Sequence, residues 1–427
     1  MSNIIDIYPL SPLQEGMLFH SIYDQEDENS ASYIVQISIL LGGKLDTAIF
    51  KKAWEHVINR NEIFRSAFMW EEIDHPLQVV FGEASFEMDN EDWSTCSHDE
   101  REKRLKLLLE SDRKKGFQLD EAQLMRVKVI KEAEAEYRIV WTHHHILLDG
   151  WSVSLVFKEL FTIYLSMMKG EAWDLPKSPP YKKYIQWIKK QDKLKAEQYW
   201  KEELQGFTAP TPYTLERQNR SADKGYGESV QSLSVEETQA LQVWVRKNKV
   251  TLNTLTQGVW SYLLSKYSGE QDVVFGVTSS GRPTEIVGVE NMVGPFINTL
   301  PTRIQVSEDS KIVDWLLNIQ EKEIERRQYE YTALTEIQGW SEVSREVPLF
   351  HTLYVFENYP AQKGNLDSDL EILNVHGVEQ TNYPLNLVVI PGEQLSFKLM
   401  YDRSQFDEMT IDRIQGHLYH VLKQMTE

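Results

Sequence analysis

The chain of 427 residues, 41% of them hydrophobic, is long enough for a substantial core and for two or three domains, in a composition typical of globular proteins. Its 45 basic and 65 acidic residues leave a formal charge of −20 and alternate along the chain without forming a tail, which argues against nucleic acid or an anionic membrane as the main partner, since both would need a basic face. A single cysteine, Cys96, excludes an internal disulfide and a thiolate metal cluster, and no apolar run reaches the ~18 residues of a membrane span, so a reducing cytoplasm is the expected location.

SYIVQISILL (32–41) is β-branched and apolar up to Gly42-Gly43 and reads as a strand. LDTAIFKKAWEHVINR (45–60) sets Leu45, Ile49, Ala53 and Val57 at helical spacing with Asp46 as its cap, and EIFRSAFMW (62–70) returns as a strand. The polar surroundings of Cys96, DWSTCSHDE, offer no activating base, so that thiol is incidental. LMRVKVI and YRIVWTHH alternate in period two around KEAEAE, which predicts a hairpin. An Asp149-Gly150 turn follows, and then a helix over 152–168 with Leu155, Val156, Leu160, Ile163 and Met167 as its core stripe and Gly170 as its stop. EAWDLPKSPPY (171–181) holds three prolines and cannot continue a helix; the main boundary is placed there, giving a first lobe over 1–175 and a second over 176–427.

The second half uses the same vocabulary. ESVQSLS, DVVFGVTSSGRP, GPFINTLPTRIQV, HTLYVFENYP, YPLNLVVI and LSFKLMYD read as strands, and VEETQALQVWVRKNK, LNTLTQGVWSYLLSKY and MTIDRIQGHLYHVLKQM as helices. No residue-level repeat links the halves. Both mix helices with largely antiparallel strands, which predicts two layered α/β lobes, and a cleft between lobes is a common place for a site.

WTHHHILLDGWS (141–152) puts three histidines ahead of that turn. On an extended strand His143 and His145 share a face with Tyr137, Ile139 and Trp141, and His144 takes the other, so the three cannot all meet one substrate. His145 lies closest to the strand end, where chain turning into a helix repeatedly carries function. Gly150 is expected to take the positive φ of an Asp-Gly turn, and the first N–H groups of the helix favour developing negative charge. A base beside such donors suits attack on a carbonyl. Leu147 stands where a dinuclear HxHxD site has its carboxylate and no HExxH occurs, so no metal is expected. G-x-S-x-G elbows and glycine-rich phosphate loops are likewise missing.

His144, His145, Asp149 and Gly150 match HHxxxDG, and here the sequence resembles the condensation domains of nonribosomal peptide synthetases, within the chloramphenicol acetyltransferase-like superfamily. YPLSPLQEGMLFHS (8–21) is similar to the family's first motif in its D-donor form, RNEIFRSAF (60–68) to the second with Asn61 in place of a histidine, YKKYIQW (181–187) to the fourth and VGPFINTLPTR (293–303) to the fifth. YEYTALTEIQGWS (329–341) and PLFHTLYVFENYP (348–360) occupy the places of the last two and also look like the D-donor subtype.

The resemblance implies a V-shaped α/β pseudo-dimer of two acetyltransferase-like lobes with a central tunnel. Upstream donor and downstream acceptor carrier proteins would load it with groups on 4'-phosphopantetheine arms, the domain itself binding no cofactor. A neighbouring adenylation domain is implied, the chain being expected to be a monomeric piece excised from a larger synthetase. The acceptor amine attacks the donor thioester, with a D-configured donor terminus. His145 is expected at the reacting amine, as general base or as the group that orients it, and His144 as structural support. Asp149 is expected to pair with an arginine, Arg282 first and Arg65 second. Gly150 is a possible oxyanion donor, and Trp151 and Asn298 are supporting residues. An epimerisation domain and a non-catalytic docking relative are the alternatives, the first disfavoured by QEGMLFH and the second by the intact histidine motif; a heterocyclisation domain would carry aspartates in place of the two histidines.

Overall fold

The computed structural model describes residues 3–23, 33–212, 225–307, 309–357, 370–378 and 381–426; Ser32 of the first expected strand and the last three residues of HTLYVFENYP lie outside the described residues. The chain divides into two compact units. The first comprises Met1–Lys190, Arg282–Phe296 and Tyr359–Thr381, and the second Gln191–Gly281, Ile297–Asn358 and Asn382–Glu427. The first division thus falls at Lys190, not at 175, because Tyr181, Tyr184 and Ile185 beyond the prolines are buried in the first unit's core.

The first unit runs β1 (Ile4–Pro9), α1 (Pro12–Tyr23), β2 (Ile34–Gly42), α2 (Thr47–Arg60), β3 (Ser66–Met69), β4 (Leu77–Phe81), β5 (Met88–Asp92), α3 (His98–Lys114), β6 (Met125–Ala133), β7 (Glu136–His144), α4 (Gly150–Lys169) and α5 (Lys182–Ile188). The strand expected over 62–70 forms only as β3, since Glu62–Arg65 make a 3-10 turn that reverses the chain out of α2. Two cap readings match the structure: Asp46 accepts the N–H groups of Ala48 and Ile49, and Gly170 ends α4 with φ 68°, a conformation that costs glycine little.

β6 and β7 form the predicted antiparallel hairpin, and β7 also pairs with β2. Alternation then sorts the side chains. Ile37, Ile39, Val127, Val129, Ile139 and Trp141 join Phe50, Trp54 and Val57 of α2 and Val156, Leu160 and Ile163 of α4 in one core. On the opposite face Val140 and Ile130 pack with Leu105, Leu108 and Leu109 of α3. With both faces covered, β2 is buried almost throughout, so it reads as a continuous apolar run rather than an alternating one.

The second unit contains α6 (Lys193–Glu203), β8 (Tyr226–Ser232), α7 (Val235–Asn248), α8 (Leu252–Ser268), β9 (Asp272–Ser279), β10 (Asn298–Gln305), α9 (Ile312–Arg327), α10 (Leu334–Trp340) and β11 (Thr352–Phe356). After it, β12 (Glu371–Val378) returns to the first unit, where it pairs antiparallel with β2 in a sheet of order β12-β2-β7-β6-β5. β13 (Leu385–Ile390), β14 (Ser396–Asp402) and α11 (Glu408–Thr426) complete the second unit, whose sheet has the order β10-β9-β11-β13-β14-β8. Pairing is largely antiparallel, as expected, but β11 runs parallel to both β9 and β13. Among the described residues no helix is long and apolar enough to cross a membrane.

Candidate active site

Strand β7 stops at His144, and the chain then turns so tightly that Leu147 N–H donates to His144 O (3.1 Å) and Leu148 N–H to His145 O (3.2 Å). His145 therefore leaves the sheet. Its own N–H donates to the carbonyl of Tyr33 (2.7 Å), a residue held at φ 61°. Ile146, Leu147 and Leu148 are buried, and from Trp141 to Gly150 only His145 and Gly150 keep any real exposure.

The other two imidazoles are turned into the protein. His143 lies against Trp141 with ring centroids 4.8 Å apart, and its Nδ1 is 3.1 Å from the carbonyl of His144, which can only accept, so Nδ1 carries the hydrogen. For His144 the reverse holds. The N–H of Ile146 donates to His144 Nδ1 (3.1 Å), which leaves the hydrogen on Nε2, 3.2 Å from Ser21 Oγ. Burial above all, and then the neighbouring histidines, push the His144 pKa down to about 3. His144 is thus a neutral structural bracket. Among the described residues no three His, Cys, Asp or Glu side chains converge on one point.

Asp149 holds the next stretch. It is the N-cap of α4, with Oδ1 accepting Ser152 N–H at 2.7 Å, while Oδ2 accepts Phe296 N–H at 3.0 Å. Arg282 Nη2 donates to both carboxylate oxygens (3.2 and 3.4 Å) and to Ser152 Oγ (2.9 Å), while Nη1 donates to the carbonyls of Val289 and Met292. The guanidinium lies 4.0 Å over the ring of Phe296 and 5.5 Å over that of Trp151. Burial lowers the Arg282 pKa, and Asp149 opposes that shift.

Ser152 Oγ also donates to Gly294 O (2.7 Å) and accepts Gly294 N–H (3.1 Å), and Tyr181 OH donates to Pro295 O (2.6 Å). A Cβ on Gly294 would lie 2.3 Å from the Tyr181 ring, so only glycine lets this loop dock so closely. VGPF is thereby fastened to the start of α4.

Several expected residues sit elsewhere or act otherwise. Gly150 does not take a positive φ: it is the first residue of α4, because Asp149 caps the helix directly. Its N–H precedes the first intrahelical bond and points where negative charge is favoured. Arg65 does not reach Asp149; its donors go to the carbonyls of Ile58, Asn59, Phe81 and Gly82. Trp151 donates its Nε1–H to Glu290 O (3.0 Å) beside Arg282. Asn298 belongs to the second unit, where its amide donates to the carbonyls of Glu330 (2.8 Å) and Thr332 (2.7 Å) and ties down the turn after α9. Asn61, standing where the second motif usually has histidine, donates to Glu159 (2.8 Å).

The family model of the condensation domain matches residues 4–427. The chain belongs to that family. Condensation domains are acyltransferases that form amide bonds, and the fold agrees: the condensation domain of the monacolin K polyketide synthase MokA has a TM-score of 0.82 at 17% identity, over 99% of this chain and 98% of that one. Among curated relatives, two linear gramicidin synthase polypeptides of Brevibacillus parabrevis are 42% and 43% identical over 100% and 99% of this chain. Bacitracin synthase 3 of Bacillus licheniformis is 37% identical over 100% of it. The chain spans only 6%, 8% and 7% of those three proteins.

In this condensation domain the state of His144 has a measurable consequence. The unfolded ring titrates near 6.5 and the folded ring near 3, so the folded state excludes the proton. Stability from this group is complete above the unfolded value and declines as pH falls below it, by up to about 1.4 kcal/mol per pH unit. The urea midpoint of the natural protein is therefore expected to fall more steeply between about pH 6 and 4 than that of His144→Asn. Equal slopes would show that His144 is already charged in the folded state.

Ser152, Tyr181, Gln14 and Ser21 were not singled out from the sequence, although Ser152 sits one residue beyond DGW and all four carry buried or half-buried hydrogen bonds. Ser-Pro-Leu-Gln at 11–14 did hold a signal: Gln14 N–H donates to Ser11 Oγ and Ser11 N–H to Gln14 Oε1, the reciprocal bonds of a capping box at the start of α1.

Proposed function

We propose that this condensation domain forms a peptide bond between two carrier-bound substrates, the acceptor amine attacking the donor thioester, with His145 at the amine. The observation that carries the reading is the partial exposure of His145, shared within HHxxxDG by Gly150 alone, beside the N-terminus of α4.

A free α-amine has a pKa of about 7.7–8.0, so a fair fraction attacks without prior deprotonation near neutrality. Attack makes the new N–C bond and a tetrahedral oxyanion, and the nitrogen becomes cationic. Collapse expels the thiolate as the nitrogen gives up its proton. His145 accepts that proton or orients the amine, and the Gly150 N–H favours the oxyanion. Asp149, Arg282 and Ser152 hold the frame without touching the reacting atoms.

The thioesters are carried on phosphopantetheine arms of donor and acceptor carrier proteins in a larger cytoplasmic synthetase with a neighbouring adenylation domain. The names of the relatives, synthases of gramicidin and bacitracin, support that setting. QEGMLFH in the first motif supports a D-configured donor terminus.

The test mixes the domain with an acceptor carrier bearing an amino acid and a donor carrier ending in a D- or an L-residue, and follows elongation by mass. Elongation with preference for the D-terminated donor is expected. Inversion of the donor Cα without elongation would replace the reading by epimerisation, and no reaction with correctly loaded partners by docking.

A further inference from the structure

Helix α1 braces the histidine turn at two points. Gln14 is fully buried, and its amide polarity is fixed on both sides: Oε1 accepts Ser11 N–H, so the NH2 group faces Gln78 Oε1 at 3.0 Å and the carbonyl of Ile146 at 3.3 Å. Gln78, buried on β4, is held in turn by donating to Tyr8 OH (3.0 Å) and Ser66 Oγ (2.8 Å). Seven residues along α1, on the same face, Ser21 Oγ accepts from Nε2 of His144, whose Nδ1 takes the N–H of Ile146. Ile146, directly after His145, thus has its N–H fixed through Ser21 and His144 and its C=O fixed through Gln14.

We propose that Gln14 and Ser21 are positioning residues that hold the 144–146 backbone, and through it the His145 imidazole, in the geometry used for condensation. The proposal rests on the role assigned to His145 under Proposed function. Both residues act from within the first unit, so the brace is independent of the rest of the chain. A misplacement of about 1 Å in a catalytic group costs up to ~100-fold in rate, which sets the expected scale.

The experiment compares Gln14→Met, Ser21→Ala, their combination and Ser21→Thr with the natural domain, using loaded donor and acceptor carriers. Each protein is also labelled with 13Cε1-histidine, the His145 signal being assigned by its loss in His145→Ala. Gln14→Met and Ser21→Ala are expected to lower kcat about 10- to 100-fold with little change in acceptor KM, and to shift or broaden the His145 signal. The combination is expected to be little worse than the poorer single variant, because both release the backbone of the same residue, Ile146, and Ser21→Thr, which keeps the hydroxyl, to restore most of the rate. Natural kcat with an unmoved His145 signal would overturn the proposal. So would a loss of activity that only tracks the folded fraction in thermal melts. If His145→Ala is as active as the natural domain, the assignment of His145 to the amine fails, while the NMR signal still decides whether α1 positions the ring.

Discussion

His145→Ala is expected to slow peptide-bond formation about 100- to 10,000-fold if the imidazole takes the amine's proton. The side chain is only partly exposed and its Nδ1 is buried, so thermal melts of the variant must accompany the rates, and the catalytic loss is the part that remains in single-turnover rates of folded protein with pre-loaded carriers. General-base action predicts in addition that kcat/KM of the natural enzyme falls at low pH along a histidine limb that the variant lacks. A deficit well under 100-fold with an unchanged pH profile assigns His145 to orienting the amine, and full activity removes it from the site. The contrast with His144 is instructive: its ring is spent on Ser21 and Ile146, so His144→Ala should lower both stability and rate.

Breaking the Asp149–Arg282 pair is expected to have the largest effect on stability. Both side chains are almost completely buried, at 0% and 6% exposure, and truncating one strands a charge in low dielectric. Removal of one partner from such a pair costs about 3–5 kcal/mol. Asp149→Ala also removes the cap of α4, worth about 1 kcal/mol, and the acceptor for Phe296 N–H. The paired change Asp149→Leu with Arg282→Met removes both charges together and is expected to recover part of the stability, because no ion is left unpaired. Activity should not return with it, since Gly294 and Phe296 have lost part of their anchor at α4. Urea unfolding of Asp149→Ala and of the paired variant reads the first effect and carrier-loaded turnover the second. Single-variant costs below about 1 kcal/mol, the range of an exposed ion pair, would show that the pair is solvated and does not fasten the loop to α4.

How much of the fold could be read directly differs between elements for identifiable reasons. α2 and α4 bury one stripe each, so helical spacing and caps located them to within a few residues. α3 has no fully buried residue, and its short apolar stripe of Leu105, Leu108 and Leu109 is flanked by charged turns, so it stood out less than the others, although Ser97 and Glu100 close a capping box at its start. β12 pairs with β2 across more than three hundred residues of chain, a partnership that no local pattern encodes.

The same division runs through the site. By itself the sequence determined that His143 and His144 lie on opposite faces of β7, since the pleat has period two, and that a helix begins just beyond Asp149-Gly150; that Asp149 caps it directly came from the structure. It also carried Arg282 as the partner of Asp149, through resemblance. Only the tertiary structure decided that β7 ends one residue before His145, because the turn is closed by Leu147 and Leu148 and held from outside by Tyr33, Gln14 and Ser21. Those contacts come from segments more than a hundred residues upstream, and their hydrogen bonds exist only after the sheet and α1 have packed; strand alternation ends where they begin, and from that point packing sets where the imidazole points.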